Sequence, residues 1–120
     1  MSSPVKAYTE LIAWQKAVLL VTEIYKVSKT FPKDEVYGLT AQIRRAAVSV
    51  PSNIAEGQGR LTRGEFKQFL GNARGSLFEV QTQVHIAANL GYLEKEEASK
   101  FLESTNEVAR IMNGLLKSLD

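Results

Sequence analysis

The chain has 120 residues and no cysteine, which excludes a disulfide-stapled fold, thiolate metal sites and a cysteine nucleophile. That length is typical of one domain and allows roughly two-thirds of the unfolded surface to be buried without staples. Net charge is only +2, yet it is polarised: residues 1–93 carry 11 Lys and Arg against 7 Asp and Glu, whereas residues 94–120 carry 4 against 6.

Periodicity and punctuation predict four helices and an all-α fold. The first is expected over about Tyr8 to Thr30. Trp14, Val18, Val21 and Tyr25 recur at alternating four- and three-residue spacing, and Ala17, Leu20, Ile24, Val27 and Phe31 form a second stripe beside them. Phe31-Pro32 ends this helix, because proline disfavours helical geometry in its predecessor.

The second helix is expected to start near Asp34 and Glu35, whose charges suit a helix N-terminus. Leu39, Ile43, Ala46, Val50, Ile54 and Gly57 keep one apolar phase across Pro51, so the segment reads as one kinked helix. Ser49 and Ser52 are on hand for backbone groups freed by the proline. Gly57 and Gly59 are expected to close it as left-handed caps.

Thr62-Arg63-Gly64-Glu65 spells a capping box and opens the third helix. Phe66, Leu70, Ala73, Leu77, Val80, Val84 and Ala87 then form a heptad seam that ends before Gly91. Glu94, Glu96 and Glu97 place negative charge at the start of the fourth helix. Its seam is Ala98, Phe101, Thr105, Val108, Met112, Leu115 and Leu119. Short connections predict an antiparallel up-down-up-down four-helix bundle formed by residues 1–120.

Residues off the seams carry the functional expectations. Gln42, Arg45, Ser49, Asn53, Glu56 and Arg60 make a polar stripe on the second helix, read either as a recognition surface or as a flank bonded to the next helix. Ala41, Arg44, Val48, Pro51 and Ala55 form an opposite, rather apolar face. Gly71, Gly75, Phe78, Thr82 and Ile86 line the outer side of the third helix, where each glycine costs ~1 kcal/mol against alanine. These second faces predict self-association, with Val48, Ala55, Gly71, Gly75 and Phe78 at the interface.

The arginine-rich stretch of residues 44–74 points to phosphate contacts from Arg44, Arg45, Arg60, Arg63, Lys67 and Arg74. The competing reading is a protein-interaction scaffold whose charges only solvate its surface. No enzyme is expected. His85 stands alone, with no second histidine at metal-ligand spacing, and Gly57, Gly59 and Gly64 follow a helix without a Gly-Lys-Ser/Thr. Glu56 and Glu65 lie across a turn with no pocket implied. Neither metal nor cofactor is expected. MSSPVKAYTE has no apolar leader, and the longest apolar run, Ala17 to Val21, is too short for a bilayer. A cytoplasmic protein without a membrane partner is the expectation.

The stretch QIRRAAVSVPSNIAEGQGR, residues 42–60, resembles the signature of the four-helix-bundle proteins encoded in intervening sequences of 23S ribosomal RNA genes. The likeness extends to Leu11-x-x-Trp14-x-x-Ala17, Ile24-Tyr25, Phe31-Pro32, the block FKQFLGNARGSLFEV and Leu90-Gly91-Tyr92. It implies a four-helix subunit that assembles as a homopentamer, has no enzyme activity and binds nucleic acid, RNA or DNA. It also implies a distant likeness to accessory proteins of diversity-generating retroelements.

Overall fold

A computed structural model describes residues 7–120. The leader reading of MSSPVKAYTE therefore falls partly on residues outside the described ones. Four helices follow in order: α1 (Ile12–Ser28), α2 (Leu39–Gln58), α3 (Arg63–Asn89) and α4 (Lys95–Ser118). Each packs on two neighbours, α1 on α2, α2 on α3, α3 on α4 and α4 on α1, around one apolar core. Contacts between α2 and α3 run in opposite chain order: Gly57 faces Phe66 and Phe69, and Ser49 faces Ser76. Those between α3 and α4 do the same, with Gln81 on Asn106 and Lys67 on Asp120.

The first helix is shorter than its apolar period suggests. Tyr8–Glu10 is a separate 3-10 turn, and Leu11 is extended (φ −73°, ψ 125°), so α1 starts at Ile12. The Gln15 side chain donates to the Thr9 carbonyl and the Tyr8 ring meets Trp14 edge-on at 5.2 Å, which fixes the turn against the helix. Of the two α1 stripes, Ala17, Leu20 and Ile24 enter the core together with Ala13 and Ser28. Trp14, Val18 and Val21 are half-buried, and Tyr25 is exposed.

The second helix starts at Leu39, not at Asp34. Pro32 leads into a 3-10 turn at Lys33–Glu35, and Gly38 stands at the N-cap with φ −107° and ψ −117°. Glu35 still serves the helix, from outside it. Its Oε1 accepts from the Leu39 backbone N–H at 3.0 Å, and its Oε2 accepts from the Tyr92 hydroxyl at 2.8 Å. A Cβ at Gly38 would lie 2.6 Å from that Oε1, so the carboxylate can close over the helix end only because residue 38 has no side chain.

One carboxylate thus ties the α1–α2 connection to the α3–α4 connection, where Phe31 also meets the Tyr92 ring at 5.5 Å. The Leu39 amide, then the Tyr92 hydroxyl, hold the Glu35 carboxyl below its ordinary range; the bond to Glu35 raises Tyr92. A lowered carboxylate contributes stability above its unfolded pKa and loses it as pH falls through the folded value. A raised phenol contributes below its unfolded pKa and loses that contribution as pH rises through the folded value. Thermal melts across pH should therefore show a Glu35→Gln variant losing less stability than the parent on acidification. Equal acid losses would exclude a role for this latch.

Helix α2 runs unbroken through Pro51, which is buried. The Ser49 hydroxyl does not serve the freed backbone as expected; it bonds Ser76 Oγ at 2.9 Å. Proline inside a helix costs ~3 kcal/mol, whereas losing its buried ring carbons costs ~0.8 kcal/mol per methylene. Pro51→Ala should leave the thermal midpoint level or raised. A drop of many degrees by circular dichroism would mean that the ring shapes the packing.

The expected role of Gly57 is also corrected. It lies inside α2, and the helix ends at Gly59 in right-handed geometry (φ −80°). Thr62 Oγ1 does accept from the Glu65 amide at 3.1 Å, but the Glu65 carboxylate bonds the Thr62 hydroxyl at 3.0 Å instead of reaching its backbone. A reciprocal capping box forms at α4, between Glu94 and Glu97. Gly91 (φ 79°) ends α3, because left-handed geometry there disfavours any side chain.

Candidate nucleic-acid interface

The six expected phosphate contacts do not converge on one patch. Arg44 sits in the α1–α2 seam. Its Nε donates to Ser28 Oγ at 2.8 Å, its Nη2 donates to the Tyr25 carbonyl at 3.3 Å, and its guanidinium lies 4.6 Å above the Tyr25 ring. This places a cation on the last carbonyls of α1, where the helix dipole favours positive charge. Arg44 is thereby committed to architecture.

Arg60 is neutralised by acids. It bonds Glu56 at 2.8 Å, lies 4.0 Å from Glu65 and stacks over Phe69 at 4.6 Å. Much of the polar stripe is likewise an inter-helix flank. Ser49 bonds Ser76 across the seam, and the Asn53 side-chain amide donates to the Ser49 carbonyl at 2.8 Å and to its hydroxyl at 2.9 Å. Gln42 and Arg45 are exposed on α2, and Arg45 has no charge partner among the described residues.

The remaining three cations share a row. Arg63, Lys67 and Arg74 stand at spacings of four and seven on α3, in phase with Gln81. Gln81 donates to Asn106 of α4 at 2.8 Å and to Thr105 at 2.9 Å, so this row borders α4. Asn106 in turn begins a row on α4 with Arg110, Asn113 and Lys117, at spacings of four, three and four. The two rows lie side by side and bring Arg63, Lys67, Arg74, Arg110 and Lys117 to one face. Asp120, paired with Lys67, is the acid at one end of it. Arg74 stacks on Phe78 at 5.1 Å and has no acidic partner among the described residues.

Arg110 and Lys117 were absent from the sequence-based candidates because the last helix is acidic in sum. Their signal is phase: the acids Glu94, Glu96, Glu97, Glu103 and Glu107 all precede Val108, and from there to Lys117 the charged residues are Arg110 and Lys117.

The expected self-association surface is exposed. Val48 (40%), Phe78 (41%) and Ile86 (42%) are all uncovered, whereas Ala55 is half-buried. A Cβ at Gly71 or Gly75 would meet nothing within 4 Å, so no close backbone approach inside the chain accounts for either glycine. No three His, Asp or Glu side chains group to hold a metal ion among the described residues, and no helix is long and apolar enough to cross a membrane.

The family model described as 23S rRNA-intervening sequence protein matches residues 9–114. A crystal structure from Bacteroides thetaiotaomicron, described as a protein with unknown function from the S23 ribosomal protein family, superposes with a TM-score of 0.82. It is 18% identical and aligns over 88% of this chain and 96% of its own, a likeness of fold. No curated protein matches the chain in sequence.

Proposed function

Since the chain belongs to the 23S rRNA-intervening sequence protein family, we propose that it is a non-enzymatic, self-associating bundle that binds RNA by phosphate contacts along its α3–α4 face. The observation that carries this reading is the pair of adjoining rows that bring five cations to one face, with acids only at its ends, Asp120 beside Lys67 and Glu103 before Asn106. The side-chain amide of Asn113 flanks the cations and adds a neutral donor, whereas that of Gln81 is already given to Thr105 and Asn106. RNA is chosen over DNA because the family description concerns a ribosomal RNA. The rows hold no aromatic side chain on which a base would stack, so we assign the contacts to the backbone, and a cytoplasmic location fits them.

One subunit offers few contacts. Self-association, for which we propose a homopentamer, multiplies them into avidity. The exposed Val48, Phe78 and Ile86 and the open Gly71 and Gly75 are the surface we assign to it. Light scattering coupled to size exclusion should give an oligomer mass for the parent. Gly75→Leu should shift that mass toward monomer with helicity unchanged, because a Cβ at this position meets nothing within 4 Å in its own subunit. A parent that is monomeric at micromolar concentration excludes the assembly.

A protein-interaction scaffold is the second reading, favoured by Tyr37 and Leu61, which are 94% and 98% exposed. Fluorescence anisotropy with RNA over a salt series separates the two. Absence of RNA binding at low salt leaves the scaffold.

A further inference from the structure

The α1–α4 seam is the most open of the four, and a groove of about 670 Å³ runs along it. Its floor is apolar, formed by Leu20, Val27, Phe101 and Val108, and Leu19 stands 61% exposed on its edge. We infer that this groove is a docking site for an amphipathic helix of another protein, with charges alternating along both its flanks.

The argument rests on the edges of the groove. On α1 they are Lys16, Leu19, Glu23 and Lys26; on α4 they are Glu97, Lys100, Ser104 and Glu107. Both rows have spacings of three, four and three, the register in which flanking charges border a coiled-coil seam. Lys16 closes on Glu107 at 3.5 Å. In opposite chain order, Glu23 then comes level with Lys100 and Lys26 with Glu97, but neither pair closes. Glu23 turns to Lys26 on its own helix at 3.4 Å, Glu97 accepts from the Glu94 amide at 3.1 Å, and Lys100 has no charge partner among the described residues. A helix laid over the floor fills this gap, with an acidic side chain between Lys26 and Lys100 and a basic one against Glu23.

A second copy of the chain is a poor match. The faces assigned to self-association do not supply this pattern. The outward strip of α3 (Gly71, Gly75, Phe78, Thr82, Ile86) carries only Glu79, and that of α2 sets Arg45 and Glu56 eleven residues, about 16 Å, apart, so neither puts both signs within two turns. The occupant must supply both signs, which points to a different protein. This inference stands apart from the RNA reading, whose residues lie on the α3–α4 face, so either can fail alone.

The test uses a synthetic helix of about five turns, ~18 residues, with leucine at the seam positions and flanking charges that complement the two edges. Its twin has every flank charge reversed. Anisotropy of the labelled peptides should show the complementary one binding roughly tenfold tighter than its twin. Backbone amide shifts should localise to α1 and α4. Lys100→Glu, at an exposed position, should narrow the preference between the peptides, and Leu19→Asp should abolish binding of both with helicity retained. Equal affinity for the twins, or shifts confined to other helices, overturns the inference. So does a change of assembly mass in Leu19→Asp, which would place a second copy in the groove. Saturation of the groove by dodecanoate, with neither peptide binding, would assign it to small amphiphiles instead.

Discussion

Gly57→Ala should lower the thermal midpoint by about 5 °C, although alanine is the better helix former by ~1 kcal/mol. A Cβ at residue 57 would lie 2.6 Å from Phe69 Cβ, 3.1 Å from the Phe66 ring and 3.3 Å from the Phe66 carbonyl oxygen. A side-chain terminus can swing away, but a Cβ and a carbonyl are fixed to the backbone of α3. The two helices must therefore separate where α2 ends, next to the fully buried Ile54 and Leu70. Overpacking of this kind costs ~1–3 kcal/mol, enough to outweigh the propensity gain. Gly71→Ala is the internal control, since a Cβ there meets nothing within the chain. Melts of the two variants side by side should diverge sharply in sign or size, and a Gly57→Ala midpoint at or above the parent's would contradict the close approach.

The second large effect concerns RNA. Arg63→Ala combined with Arg74→Ala should weaken binding evenly across sequences and flatten its salt dependence. Each phosphate contact contributes about 0.9 to the log–log slope on duplex DNA and about 0.7 on single strands. Removing two per subunit in an oligomer therefore makes a steep line shallow. Arg60→Ala should change the slope little, because Glu56 and Glu65 already balance its charge. Arg44→Ala should instead cost stability, through the lost bonds to Ser28 and Tyr25. Anisotropy from low to physiological salt, with mass checked for each variant, reads all three. If Arg60→Ala flattens the slope and the double variant does not, the phosphates follow the arginine-rich sequence and not the α3–α4 face.

The sequence by itself determined the elements whose causes are local. Four helices, the α3 seam from Phe66 to Ala87, the Thr62 cap and the passage of α2 through Pro51 all follow from spacing and from residues a few positions apart. Family membership was legible for the same reason, in a continuous motif over residues 42–60. Only the tertiary structure decided which α1 stripe enters the core, because two adjacent apolar stripes are equivalent until a neighbouring helix covers one of them. It also decided the arginines. Arg44, Arg45 and Arg60 look alike in a charge count. Arg44 is bound to the Ser28 hydroxyl and the Tyr25 carbonyl of α1, and Arg45 is unpaired among the described residues. The pairing of Arg60 with Glu56, four residues away, is by contrast local and legible in the sequence, and only the turn adds Glu65 on its other side. The face formed by Arg63, Lys67, Arg74, Arg110 and Lys117 joins residues up to 54 positions apart in the chain. It exists because α3 and α4 pack in opposite order, a register that side-chain interdigitation sets and one-dimensional spacing does not contain.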